Sequence, residues 1–344
     1  EDGCLGSYIE ACCLWMLFLF MLTEVLSVGH AMRFRFLLPV WGGLDVLLLY
    51  LLAAQLKKMG FTAGSAVRRV REAGRRGWLA LREAPYYGIL LLTGMVVLGL
   101  SLITTPYNWD SMTYHLPRIA YWAQNRSVAH YATSSIRQVC SPVLAEFVNL
   151  HVYILCRGHD FFFNLLQGMS YVTCAVMAGA IAGRLSCNRL FCFLAAFLYM
   201  TMPIAYAEAM TTQVDNFAAI WLLFFVYRLL DYVDVKKAMR FDKITVCRVG
   251  VMGLCVAWGY LTKPSVCVGM VVFALWLLLV CIKRRDRLRG LAGIFFSALP
   301  CVVIPLLPET LRNFKSFGSY ANPAAGAAQL VGTGHPAYLF VNML

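Results

Sequence analysis

Residues 87–105, YGILLLTGMVVLGLSLITT, carry no charged side chain, and they run directly into residues 106–138, PYNWDSMTYHLPRIAYWAQNRSVAHYATSSIRQ. The first run suits one helical crossing of a bilayer, which takes about 20 apolar residues. The second has no glycine- or serine-rich punctuation of an ordinary linker. It gathers one carboxylate (Asp110), two histidines (His115, His130), three arginines (Arg118, Arg126, Arg137) and a row of aromatics including Trp109, Tyr114, Tyr121 and Trp122. Such a segment reads as a site at a membrane surface. The plainer reading of the same residues is an amphipathic interfacial helix with an aromatic belt.

The apolar texture recurs outward from this stretch. Hydrophobic residues make up 60% of the chain, charged residues 14%, and the mean hydropathy is +0.68. A soluble globule is nearer half apolar and a quarter charged, so the expected fold class is an all-α polytopic membrane protein. Spans are read at residues 8–29, 36–56, 87–105, 160–183, 189–207, 216–233, 245–261, 264–282 and 290–308, about nine crossings in all. The region 245–282 also reads as one broken pair around Thr262, Lys263 and Pro264. The apolar run 143–156 is too short to cross and is expected to lie along the interface or dip partway in.

The net charge of +13 is unevenly placed: 21 of the 30 basic residues fall in loops that alternate along the chain, among them 57–82, 228–248 and 283–289. The positive-inside rule makes that side cytoplasmic. The loop carrying Asp110 and the tail after residue 308 are then outside, and the amino terminus inside. Anionic headgroups account for the basic loops, so membrane lipids are expected as partners and nucleic acid is not. The 13 cysteines show no CxxC and read mostly as small core residues; Cys140 and Cys156 are the one pair placed for an outside disulfide. Asn125, Arg126 and Ser127 form a glycosylation sequon. The first span, led by Glu1, Asp2 and Glu10, is long for a signal-peptide core and is expected to be retained. One transmembrane domain, 1–344, is expected, with two leading spans and a basic loop (1–86), a core (87–320) and an outer tail (321–344). The chain opens without Met and closes on PAYLFVNML, which reads as a helix being entered, so a fragment is expected.

Several residues at the outer ends of spans are chemical candidates. Pro117 suits the first turn of a helix, with Asp110 just ahead of it held near the membrane by Trp109. Asp215, in TTQVDNF, reads either as catalytic or as the cap of the helix it opens. Glu208 is the weaker acid, and Glu146, in SPVLAEF, calls for a partner such as Arg137. Lys263, in LTKPS, and Arg312 with Lys315, in LRNFKSF, are cations suited to a phosphate oxygen, although Lys263 also reads as snorkelling to headgroups. Glu24 and Asp45, inside the first two spans, are expected to be paired internally or to lie near an aqueous edge. There is no GxGxxG, Walker loop, HExxH or DxD, so a donor already carried on a lipid fits better than a cytoplasmic nucleotide. No cofactor is assigned; a divalent metal held weakly by Asp110 with Asp215 stays open.

The loop NWDSMTYHLPR with AYWAQNRSVAHY and IRQ resembles the GT-C glycosyltransferases of the bacterial protein-mannosyltransferase-like group. SPVLAEF, TTQVDN, LTKP and LRNFKSFGS follow in family order over about residues 87–320, after two additional leading spans. The resemblance implies a GT-C helical bundle in a bacterial inner membrane with an extracytoplasmic site. It implies transfer of a sugar from a polyprenyl-phosphate donor to a hydroxyl on a glycan, lipid or protein acceptor, with inversion. Asp110 would be the essential acid and general base, and Asp215 the second acid. Lys263, Arg312 and Arg118 would hold the lipid phosphate, and Trp109, Tyr114, His115, Trp122 and Glu146 would line the substrate site. A transporter or flippase of lipid-linked sugar is the alternative, and a non-catalytic membrane subunit the third reading.

Overall fold

A backbone that must satisfy its own polar groups away from water has to close its hydrogen bonds locally, and long apolar runs therefore become helices. The computed structural model describes residues 3–233, 243–283 and 288–320, and these form helices and connecting loops with no strand. The first four helices are α1 (Cys4–Val28), α2 (Phe34–Lys58), α3 (Ala63–Glu83) and α4 (Tyr87–Ile103). A π-helical turn, Ser111–His115, leads into α5 (Leu116–Asn125), α6 (Arg137–Cys140) and α7 (Leu144–Leu155). There follow α8 (Leu165–Ser186), α9 (Arg189–Thr201), α10 (Pro203–Glu208), α11 (Asp215–Val233), α12 (Lys243–Thr262), α13 (Val266–Ile282) and α14 (Leu288–Phe317). The expected tail 321–344, with PAYLFVNML, and the basic residues at 236–240 and 284–287 lie outside the described residues.

Five of the described helices, α1, α2, α8, α12 and α14, are long and apolar enough to cross a membrane. Each of the nine expected spans falls on helix, but α4, α9 and α13 are shorter, at 17, 13 and 17 residues. The expected span 189–207 is broken: α9 stops at Thr201 and Pro203 opens α10. Proline has no N–H to continue a helix and its ring crowds the preceding turn, whereas at a first position neither matters. The basic stretch forms α3, an amphipathic helix bearing Arg68, Arg69, Arg71, Arg75, Arg76 and Arg82, which meets α4 at 117°.

The run 143–156, too short to cross by itself, is enclosed by other helices. It forms α7, and Leu144 to His151 are all buried, enclosed by α1, α2, α5, α8 and α12. A helix apolar on most faces is stable only inside a bundle. Phe147 is the hub: its ring meets Phe20 and Trp122 at 5.6 and 5.4 Å, and Phe20 in turn meets Trp258 at 5.5 Å. Helix α7 also separates Cys140 from Cys156, by roughly 18 Å along a 12-residue helix, and both thiols are free.

Glycine sets the closest helix contacts. A Cβ on Gly253 of α12 would stand 2.6 Å from the Ala298 carbonyl oxygen of α14, and one on Gly179 of α8 would stand 3.0 Å from the Cys192 carbonyl oxygen of α9. Small residues at such points let apolar helices approach where dispersion contact is the main attraction. Ionic groups within the long helices are paired across them. Glu24 of α1 accepts two hydrogen bonds from Arg312 of α14, at 2.7 and 2.9 Å. At the opposite end of the bundle, buried Arg228 of α11 binds Glu10 of α1 at 2.5 Å, and Asp231 pairs with Arg184 of α8. Asp45 of α2 is exposed.

Candidate functional site

The site is built on the break that Pro117 makes in an otherwise helical segment. Pro117 cannot donate to the Thr113 carbonyl one turn back, and the Gln138 side chain donates to that oxygen instead, at 3.0 Å. The turn ahead of the proline relaxes to π geometry, with the Leu116 N–H reaching the Ser111 carbonyl. Such single-turn bulges re-aim neighbouring side chains. Here the residue ahead of the bulge is Asp110, whose start is pinned by the Ser111 N–H donating to Asn108 Oδ1 at 3.1 Å.

Beneath Asp110 lies a buried ionic knot. The Arg118 guanidinium is fully enclosed and donates to four carbonyl oxygens: Gln138 and Pro142 at 2.7 Å, Arg137 and Ser141 at 3.0 Å. Its counter-ion is Glu146, at 3.3 Å, and the same Glu146 oxygen accepts from His115 Nδ1 at 2.7 Å. Burial acts to raise the Glu146 carboxyl, but Arg118 and then His115 outweigh it and hold the group below its ordinary value. Trp122 is also interior, with Arg118 5.3 Å over its ring. These four were expected at the substrate; the structure spends them on holding loop 137–142 and α7 to α5. Arg118 has no donor left for a phosphate oxygen, and Glu146 pairs with Arg118 and His115 rather than with Arg137.

Asp110 itself is half-exposed. Its Oδ1 is 3.3 Å from Arg137 Nη1, and its Oδ2 accepts from the Tyr114 hydroxyl at 3.3 Å. Burial, followed by the Asp110 and Glu146 carboxylates, raises the Tyr114 hydroxyl well above its ordinary value, so it stays a donor. Trp109 is exposed at the rim. The cation beside Asp110 is thus Arg137, which the sequence reading had offered to Glu146.

A second cluster stands at the adjoining helix ends. Asp215 opens α11, and Lys263, in the turn before α13, forms an ion pair with it. Glu208, at the end of α10, is pushed up to about 7 by burial first and then by the charge of and hydrogen bond to Asp215; Asp110 contributes in the same direction. Glu208 Oε2 is buried with no donor facing it. Burial and the neighbouring Asp215 carboxylate both favour the protonated form of Glu208. The sequence offered Glu208 only as a weaker candidate than Asp215, and its one signal was its place seven residues before Asp215 across a turn.

Arg312 is set apart from the phosphate role expected of it, since Glu24 and Glu309 both bind its guanidinium. Between this triad and the Lys263 turn lies a cavity of about 260 Å³, lined by Cys140, Pro142, Tyr260, Pro264, Glu309 and Asn313. A separate apolar groove of about 580 Å³ runs between α4, α8 and α9. Among the described residues no group of three or more His, Cys, Asp or Glu is arranged to hold a metal ion. The arrangement offers a carboxylate able to accept a proton (Asp110), an acid that titrates near neutrality (Glu208) and two partly exposed cations (Arg137, Lys263). No protein-family model, no curated protein and no solved structure matches the chain, so the likeness to GT-C enzymes rests on the residues quoted for it.

Proposed function

We propose that this chain is a membrane glycosyltransferase that moves a sugar from a polyprenyl-phosphate donor to an acceptor hydroxyl at the extracytoplasmic face, with inversion. The observation that carries the reading is a pair of cation–carboxylate contacts at the ends of apolar helices, Arg137 on Asp110 and Lys263 on Asp215, with Glu208 between charges from both carboxylates. Asp110 removes the acceptor proton as the acceptor oxygen forms its bond to the anomeric carbon. The bond from that carbon to the phosphate oxygen breaks, and polyprenyl phosphate leaves with the electron pair. The departing anion meets Lys263 and Arg137, fixed cations in a partly dry site, where they act more strongly than in water. Before substrate arrives each cation rests on a carboxylate, so neither is left unpaired.

The groove between α4, α8 and α9 is lined almost wholly by apolar side chains such as Leu90, Leu91 and Met95, and it suits the hydrocarbon tail of such a donor. The acceptor is a hydroxyl of a glycan, lipid or protein.

The test is transfer from a radiolabelled polyprenyl-phosphate sugar pool to membrane acceptors, comparing the parent with Asp110→Asn in vesicles. General-base catalysis contributes about 10²- to 10⁴-fold, and a loss of that size with donor binding intact is expected. Equal transfer by the variant sinks the base assignment. Label that crosses the vesicle membrane still attached to the polyprenyl phosphate favours a flippase.

A further inference from the structure

The second helix carries a carboxylate that no other described residue answers. In the other long helices Glu10, Glu24, Asp231 and Glu309 each face an arginine. Asp45 has no ion-pair or hydrogen-bond partner among the described residues and is exposed. It stands 11 residues from the start of α2 and 13 from its end, or roughly 17 and 20 Å at the helical rise. That is near mid-depth for a helix of crossing length, and an aspartate side chain is too short to reach either surface. A carboxylate at such a depth is retained where something pairs with it.

The packing around it is equally open. Trp41 joins α2 to the bundle through Trp15, Phe18 and the His151 ring nitrogen, to which its indole N–H donates at 3.0 Å. Beyond that point α2 parts from its neighbours: from Val46 to Leu52 every residue is 49–69% exposed, on all sides of the helix. Gly42 lies one turn before Asp45 on the same side, and no atom stands within 4 Å of where its Cβ would be. A glycine there lets another backbone approach closely.

We propose that α2 beyond Trp41 is the docking surface for one transmembrane helix of a partner protein that carries a lysine or arginine at mid-membrane depth. The basic side chain answers Asp45, and the partner backbone seats against Gly42. A second copy of this chain is the poorer occupant, because symmetric contact would set one Asp45 against another.

The experiment uses the full chain in lipid vesicles with a synthetic leucine-rich 23-residue helical peptide bearing one central lysine, read by energy transfer. Matched peptides carry leucine or aspartate at that position. The parent is expected to bind the lysine peptide at least tenfold more tightly than the leucine peptide. Asp45→Leu should lose the preference, and Asp45→Lys should transfer it to the aspartate peptide; helicity by circular dichroism verifies that both variants fold. Equal binding of the lysine and leucine peptides by the parent, or a preference that survives Asp45→Leu, overturns the proposal. So does cross-linking of Asp45→Cys between copies with no lysine-peptide preference in the parent, which would mark a homodimer.

Discussion

Replacing Glu146 by glutamine tests whether the ionic knot under Asp110 is scaffold or substrate site. The Arg118 guanidinium has no solvent exposure and Glu146 only 2%, so Glu146→Gln leaves a desolvated cation whose remaining partners are neutral. Breaking a buried pair on one side costs about 3–5 kcal/mol. The four carbonyl oxygens around Arg118 stay in place and keep the loss near the lower figure. They also set this pair apart from most buried ion pairs, which well-packed apolar residues replace with little loss. In the double variant Arg118→Met with Glu146→Leu the charge problem disappears, yet those carbonyls lose the donor that now serves them, at about 1–3 kcal/mol for each left unsatisfied. The double variant should therefore be no more stable than Glu146→Gln. Unfolding in mixed detergent micelles with rising dodecyl sulfate, followed by far-ultraviolet dichroism, gives the comparison. A double variant as stable as the parent refutes the reasoning. Unchanged stability with weakened substrate binding in Glu146→Gln would return Glu146 to the substrate.

Glu208, held near 7, keeps a proton in the folded chain that an unfolded chain releases near 4.5. Between those values the folded state binds more protons, so its stability falls as pH rises through the window; an unfolding series from pH 5 to 8 should show the fall, and Glu208→Gln should flatten it. If the neutral acid serves transfer, kcat/KM of the parent should also decline above about pH 7, and Glu208→Gln should stay active with a level profile there. Gly253→Leu drives a side chain into the Ala298 carbonyl and should cost about 1–3 kcal/mol or more in the same detergent titration. Gly99→Ala, with open space at its Cβ, should be neutral or stabilising by up to about 1 kcal/mol.

Helix existence and the clustering of the site loop were legible in the amino-acid order because both are local. An uninterrupted apolar run demands a helix, Pro117 marks a helix start, and the polar stretch after Ile103 announces itself by composition; the start at Pro203, inside the expected span 189–207, was not read. Hydropathy alone left the surroundings of α7 undecided, since a short apolar run looks the same whether it lies on a surface or inside a bundle. Only the surrounding helices decide between them. What the tertiary structure alone decided was which charge meets which. Arg118, Arg137, Lys263 and Arg312 look alike in the sequence as cations near the ends of apolar spans. Folding encloses Arg118 with Glu146, sets Arg137 on Asp110 and Lys263 on Asp215, and brings Arg312 to Glu24 across 288 positions of sequence. Pairing depends on distance in space, which residue type and spacing along a helix do not encode, and desolvation then determines whether a paired group serves as scaffold or stays free to act on a substrate.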